Sequence, residues 1–150
     1  MIDEIYNRKI LELAADIPHL ERLAQPDATA VAHSKLCGSK VIVDLSMAGG
    51  VVTEFGQDVK ACALGQASSS IMGRHVLGST SAELRAVREQ MYKMLKEEGA
   101  PPLGKWAECE ALIPVRDYKA RHASTLLTFD AVVDAVNQIE AKHEQATQVH

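Results

Sequence analysis

The run Val41-Ile42-Val43-Asp44-Leu45-Ser46-Met47 alternates apolar and polar positions, turns at Ala48-Gly49-Gly50 and returns through Val51-Val52-Thr53-Glu54-Phe55. Two such runs joined by a short glycine-containing loop predict an antiparallel hairpin. Thr29–Lys35 reads as a small-residue strand ahead of it, after a turn at Gln25-Pro26-Asp27. The expected sheet is therefore a meander of strands over Thr29–Lys35, Lys40–Met47 and Val51–Gln57.

Elsewhere the period changes to that of helices. Ile2, Ile5, Tyr6, Ile10, Leu13 and Ile17 mark a first helix that Pro18 ends, and Leu20–Leu23 a weaker helical piece. Residues 63–72 form a helix of small residues, which lets it approach a sheet closely. Thr80 and Glu83 have the spacing of a capping box. They precede the stripe Leu84, Val87, Met91, Met94 and Leu95, which Gly99 stops. Ala100–Gly104 is a linker, and Trp106–Val115 a short helix broken near Pro114. A last helix from about Tyr118 to Lys142 buries Leu126, Phe129, Val132, Val133, Val136 and Ile139, and the polar tail from Glu144 is expected to fray. The expectation is an α+β fold, a three-stranded antiparallel sheet with helices packed on one face, forming one domain over residues 1–150.

Composition narrows the function class. A net charge of −4 without a basic stripe argues against nucleic acid as a partner. No apolar stretch reaches the roughly 18–20 residues of a membrane span, and Met1-Ile2-Asp3-Glu4 lacks the features of a signal peptide, so a cytoplasmic location is expected. Three cysteines suit free thiols or metal ligands better than a disulfide framework.

Two of those cysteines are brought together by the predicted hairpin. Cys37 lies twelve residues before Gly49 and Cys62 thirteen after, so both belong to its open end. Cys62 should also open a helix directly after a strand, where unsatisfied N–H groups favour a thiolate, although a small buried residue would fit there too. Cys109, at helical spacing from Trp106 and Ile113, reads as core. His19, His33, His75, His143 and His150 show no ligand spacing, and the Ser68–Ser70 run has no acid or base at triad spacing. Gly49-Gly50 is a hairpin turn rather than a phosphate loop.

Four segments together resemble the U-type iron–sulfur cluster assembly scaffolds, the IscU, SufU and NifU N-terminal type. They are Ile5-Tyr6 with Ile10-Leu11, the Cys37-Gly38 turn, the run from Cys62 to Met72, and Val115-Arg116-Asp117-Tyr118-Lys119-Ala120-Arg121. The stretch from Thr80 to Trp106 is similar to the insertion of the SufU branch. The resemblance implies a scaffold without turnover chemistry and with no catalytic residue, served by a cysteine desulfurase and passing an iron–sulfur cluster to recipient proteins. It implies a site of three cysteines and an aspartate. Cys37 and Cys62 match the first two cysteines, but Ser39 stands at the aspartate position and Ser124 at the third cysteine. Neutral serine is a poor ligand beside thiolate or carboxylate, so two of four donors are absent. His122 is the replacement candidate for a third donor, against a capping or solvated role beside Arg121. Ser39 and Ser124 are candidates for hydrogen bonds to the site. The set suits iron or an iron–sulfur cluster, alternatively zinc in a sulfur acceptor. A further alternative is an interaction protein of the same pathway that holds no metal.

Overall fold

A computed structural model describes residues 7–35 and 38–148, with side chains as far as residue 144. Strands β1 (Ala28–His33), β2 (Lys40–Ala48) and β3 (Val51–Lys60) pair in that order, and both pairings are antiparallel. Gly49 and Gly50 close the hairpin with φ of 62° and 81°. Positive φ at both central residues is the geometry that matches strand twist, and glycine adopts it without a Cβ clash.

Alternation in β2 sets the two faces. Val41, Val43 and Leu45 are fully buried beneath the helices. On the opposite face the Asp44 carboxylate is also completely buried, although it is charged. It accepts hydrogen bonds from Arg22 Nε and Nη2, the Leu23 N–H and Thr29 Oγ1. The chain after the first helix thus folds over the outer face of the sheet. Gln57 N–H bonds the His19 carbonyl at 2.9 Å, and the Glu21 carbonyl passes so close to Gly56 that a Cβ there would sit 2.1 Å from its oxygen. Burial pushes the Asp44 carboxyl upward, but hydrogen bonds from Arg22, Thr29 and Leu23 outweigh this and hold it below its ordinary value.

Among the described residues, four α-helices lie on the inner side of the sheet. α1 (Arg8–Ala15) starts at Asn7, whose Oδ1 accepts from the Ile10 N–H, and packs Ile10 and Leu13 on α2 (Ala63–His75). α2 packs against β3, and α4 (His122–Gln148) against β1 and β2. α3 (Ser81–Lys96) lies on α4. Thr80 Oγ1 accepts from the Glu83 N–H as the sequence predicts. The Glu83 carboxylate does not complete the box. It takes Trp106 Nε1 at 2.8 Å and Lys105 Nζ at 3.1 Å instead.

Several boundaries differ from expectation. Residues 104–117 form 3₁₀ turns rather than an α-helix, because Pro114 cannot donate to an α-helical ladder and side-chain anchors hold the segment. The strongest anchor is Glu108, which receives Lys9 Nζ, Arg74 Nη1 and His75 Nε2 at 2.7–3.1 Å. Leu20–Leu23 is irregular chain. A 3₁₀ turn, Lys119–Arg121, precedes α4, which continues to Gln148 instead of fraying from Glu144. Ile2, Ile5 and Tyr6 of the predicted first helix lie outside the described residues.

Two outcomes test this packing. Gly56→Ala forces its Cβ against the backbone at Glu21, and denaturant unfolding should show a loss of about 1–3 kcal/mol. Asp44, with its folded pKa depressed, contributes stability in full above the unfolded value of about 4 and loses it as pH falls toward the folded value. Asp44→Asn should therefore flatten the acid limb of a stability-versus-pH curve, while lowering stability at neutral pH.

Candidate functional site

The small-residue character of α2 decides how closely its start approaches α4. A Cβ on Gly65 would lie 2.6 Å from the Ala61 Cβ and 3.1 Å from the Ser124 carbonyl oxygen, so only glycine permits the contact. The approach brings two helix beginnings together. Cys62 is the N-cap of α2, with φ −68° and ψ 174°, and Ser124 stands in the first turn of α4. Cys62 Sγ lies 3.2 Å from Ser124 Oγ. The thiol is half-buried, whereas Ser124 is buried.

Cys62 Sγ makes no capping hydrogen bond to the N–H groups of α2, so among the described residues its hydroxyl neighbour is Ser124. When the sulfur is a thiolate, the Ser124 hydroxyl donates to it. Ser124 is thus the sequence-predicted neighbour that does reach Cys62. Ser39 is buried, and its carbonyl accepts from the Ser34 N–H at 2.8 Å while Gly38 N–H bonds the Ser34 carbonyl. These bonds hold Ser34, Gly38 and Ser39 together at the end of the sheet from which Cys62 leaves β3. Cys37, and with it the predicted thiol–thiol proximity, lies outside the described residues.

His122 is placed differently from expectation. Its buried ring puts Nε2 3.1 Å from the Val115 carbonyl oxygen and 3.0 Å from that of Arg116. It lines a cavity of about 250 Å³ together with Leu95, Lys96, Arg116 and Lys119, which Cys62 does not line. Residues two apart on a helix do not share a face, so bringing Ser124 to Cys62 turns His122 elsewhere. Nε2–H tethers the 3₁₀ segment to the start of α4. Among the described residues, no three His, Cys, Asp or Glu side chains gather as a metal set.

The remaining candidates fall as core or structural groups. Cys109 is fully buried, and burial, followed by the Glu108 charge, pushes its thiol up to about 12, so it stays protonated. His75 is engaged by Glu108 and stacks edge-on with Trp106, and His19 meets the Phe55 ring. Ser68 and Ser70 return their hydroxyls to the carbonyls of Gly65 and Asp16. The Glu108 cluster escaped sequence reading because Lys9 and Glu108 are 99 residues apart.

No protein-family profile matches the chain. Its fold superposes on the crystal structure of a nitrogen-fixing NifU-like protein (N-terminal) from Brucella abortus with a TM-score of 0.92. The two are 62% identical, over 94% of this chain and 98% of that one. The iron–sulfur cluster assembly scaffold protein IscU of Thermotoga maritima is 26% identical over 137 residues, which make up 90% of this chain and 94% of that protein. A SUF-system scaffold structure from Fervidobacterium islandicum AW-1 has a TM-score of 0.81 at 17% identity, over 89% of this chain and 97% of that one, a likeness of fold alone.

The geometry predicts a structural effect for His122. His122→Ala should lower Tm by several degrees, because two buried carbonyls lose their donor. His122→Gln, whose amide can donate to the same carbonyls, should recover part of the loss. Metal bound per folded molecule should be the same in both variants as in the parent.

Proposed function

Because this chain belongs to the NifU-like family of iron–sulfur cluster assembly scaffolds, we propose that it works in cluster assembly as a scaffold or accessory protein whose cargo is held at the Cys62 end of the sheet. The observation that carries this reading is the half-exposed Cys62 thiol at the N-cap of α2, with the Ser124 hydroxyl of α4 at 3.2 Å. Cys37 and Cys62 are the proposed thiolates. Iron, or an iron–sulfur cluster, is the cargo they would hold, received from a cysteine desulfurase and passed to recipient proteins. Holding and passing the cargo needs no catalytic residue.

The donor chemistry shapes what such a site does. Two thiolates bind soft metals, but a neutral hydroxyl adds no negative charge where a third thiolate would. Ser124 would steady the Cys62 thiolate by donating a hydrogen bond, and helix dipoles would offset the negative charge of bound sulfide. A site so composed holds cargo loosely, with ligand positions left for a partner to fill. Zinc suits the same thiolates, which supports a second reading as a zinc-bound sulfur acceptor for the desulfurase. The Ser124 and His122 arrangement favours a third reading, an interaction protein of the pathway that carries no metal.

Metal and sulfide analysis of protein purified without oxygen separates these readings. Iron with sulfide is expected for the scaffold, stoichiometric zinc for the acceptor, and neither for the interaction protein. Cys62→Ala should abolish whatever is bound. The double change Ser39→Asp with Ser124→Cys restores two anionic donors, and zinc affinity measured by chelator competition should rise at least tenfold. A double variant no tighter than the parent would remove the proposed site.

A further inference from the structure

The outer face of the sheet is covered over only part of its length. Residues 19–23 cross it at Asp44 and Gly56. Among the described residues it is less covered nearer the Cys62 end, with Val31 53% exposed, His33 and Lys60 exposed and Ile42 half-buried. The strand register aligns Val31, Ile42 and Asp58 in one row across the sheet, and His33, Lys40 and Lys60 in the next. Lys40 and Lys60 are direct antiparallel partners. Like charges placed opposite one another repel, and among the described residues neither lysine has an ion pair. Asp58 is the one carboxylate that shares their small cavity with Ile42.

This cationic row belongs to a chain of net charge −4, so it is a local feature and not a property of the whole surface. It lies two residues from Cys62, a span of about 7 Å of extended chain. We propose that this patch docks a carboxylate-rich surface of the protein that serves the Cys62 site. The partner's carboxylates relieve the Lys40–Lys60 repulsion, and an apolar side chain between them covers Val31 and Ile42. The proposal rests on the reading of the Cys62 end as the place where cargo is loaded. It adds the face used and the charge of the partner. Opposite charge speeds encounter and selects partners, so docking here would orient the donor protein toward the thiol.

The test uses the full-length chain and the cysteine desulfurase of the same organism, with binding followed by calorimetry. Affinity should fall steeply between low and raised salt. Lys40→Glu with Lys60→Glu should weaken binding at least tenfold. Lys93→Glu with Lys96→Glu, an equal charge change on the exposed side of α3, should weaken it less than twofold. Loading with zinc, or with iron and sulfide, needs no donor protein and therefore tests the cargo reading separately. Loss of binding with normal loading in the Lys40/Lys60 variant supports the proposal. Equal binding by both double variants, or no binding by a parent that loads normally, overturns the docking face and leaves the cargo reading intact. Self-association of the parent that the Lys40/Lys60 change abolishes, seen by sedimentation, would assign the patch to a second copy and overturn the proposal. A parent that neither loads nor binds overturns both.

Discussion

The close approach of α2 to the start of α4 constrains everything built around it. α2 is buried along most of its length, and a helix in that position with ordinary side chains would stand farther from its neighbours. Glycine, alanine and serine remove that spacing. At Gly65 the absent side chain lets the Ser124 carbonyl come within 3.1 Å of where a Cβ would be. One turn away, the same approach sets Cys62 against Ser124. Ser68 and Ser70 tolerate burial because they give their hydroxyls to nearby carbonyls, whereas the buried Ser69 hydroxyl finds no partner among the described residues. Packing geometry and site geometry here have one cause.

The two faces of the sheet meet different needs. Toward the helices, Val41, Val43 and Leu45 supply ordinary apolar burial. On the far side, Asp44 gathers Arg22, Leu23 and Thr29 and so fastens the segment after α1 across the sheet. A buried carboxylate is tolerable because every partner is a donor and one carries positive charge. On the remaining part of that face, toward the Cys62 end, Lys40 and Lys60 have no ion pair among the described residues. The thiol end of the molecule thus sets Cys62 against the first turn of α4 and places the Lys40–Lys60 pair on the outer face of the sheet.

Much of this was legible along the chain. The alternation in 41–55 and the two glycines defined the hairpin, Thr80 announced the start of α3, and the strand-to-helix junction put Cys62 at an N-cap. Cys109 could be read as core from its helical neighbours. The 3₁₀ character of 104–117 was hidden, because its holding contacts, Trp106 to Glu83 and Glu108 to Lys9, Arg74 and His75, cross long stretches of sequence. The Lys40–Lys60 pair was hidden likewise. Twenty residues separate the two lysines in the chain, and only register makes them neighbours.

By itself the sequence determined the three strands, the longer helices, their order and the place of Cys62 at a helix start, since periodicity, caps and turns are local properties of a chain. It also shows serine at positions 39 and 124, where the family resemblance implies an aspartate and a cysteine. Which replacement faces the thiol was decided by tertiary structure. His122 and Ser124 are two residues apart and chemically both plausible, yet a helix turns them to different sides. The rotation of α4 about its own axis follows from how it seats on β1, β2 and α2, and that seating assigned Ser124 to the sulfur and His122 to the carbonyls of Val115 and Arg116.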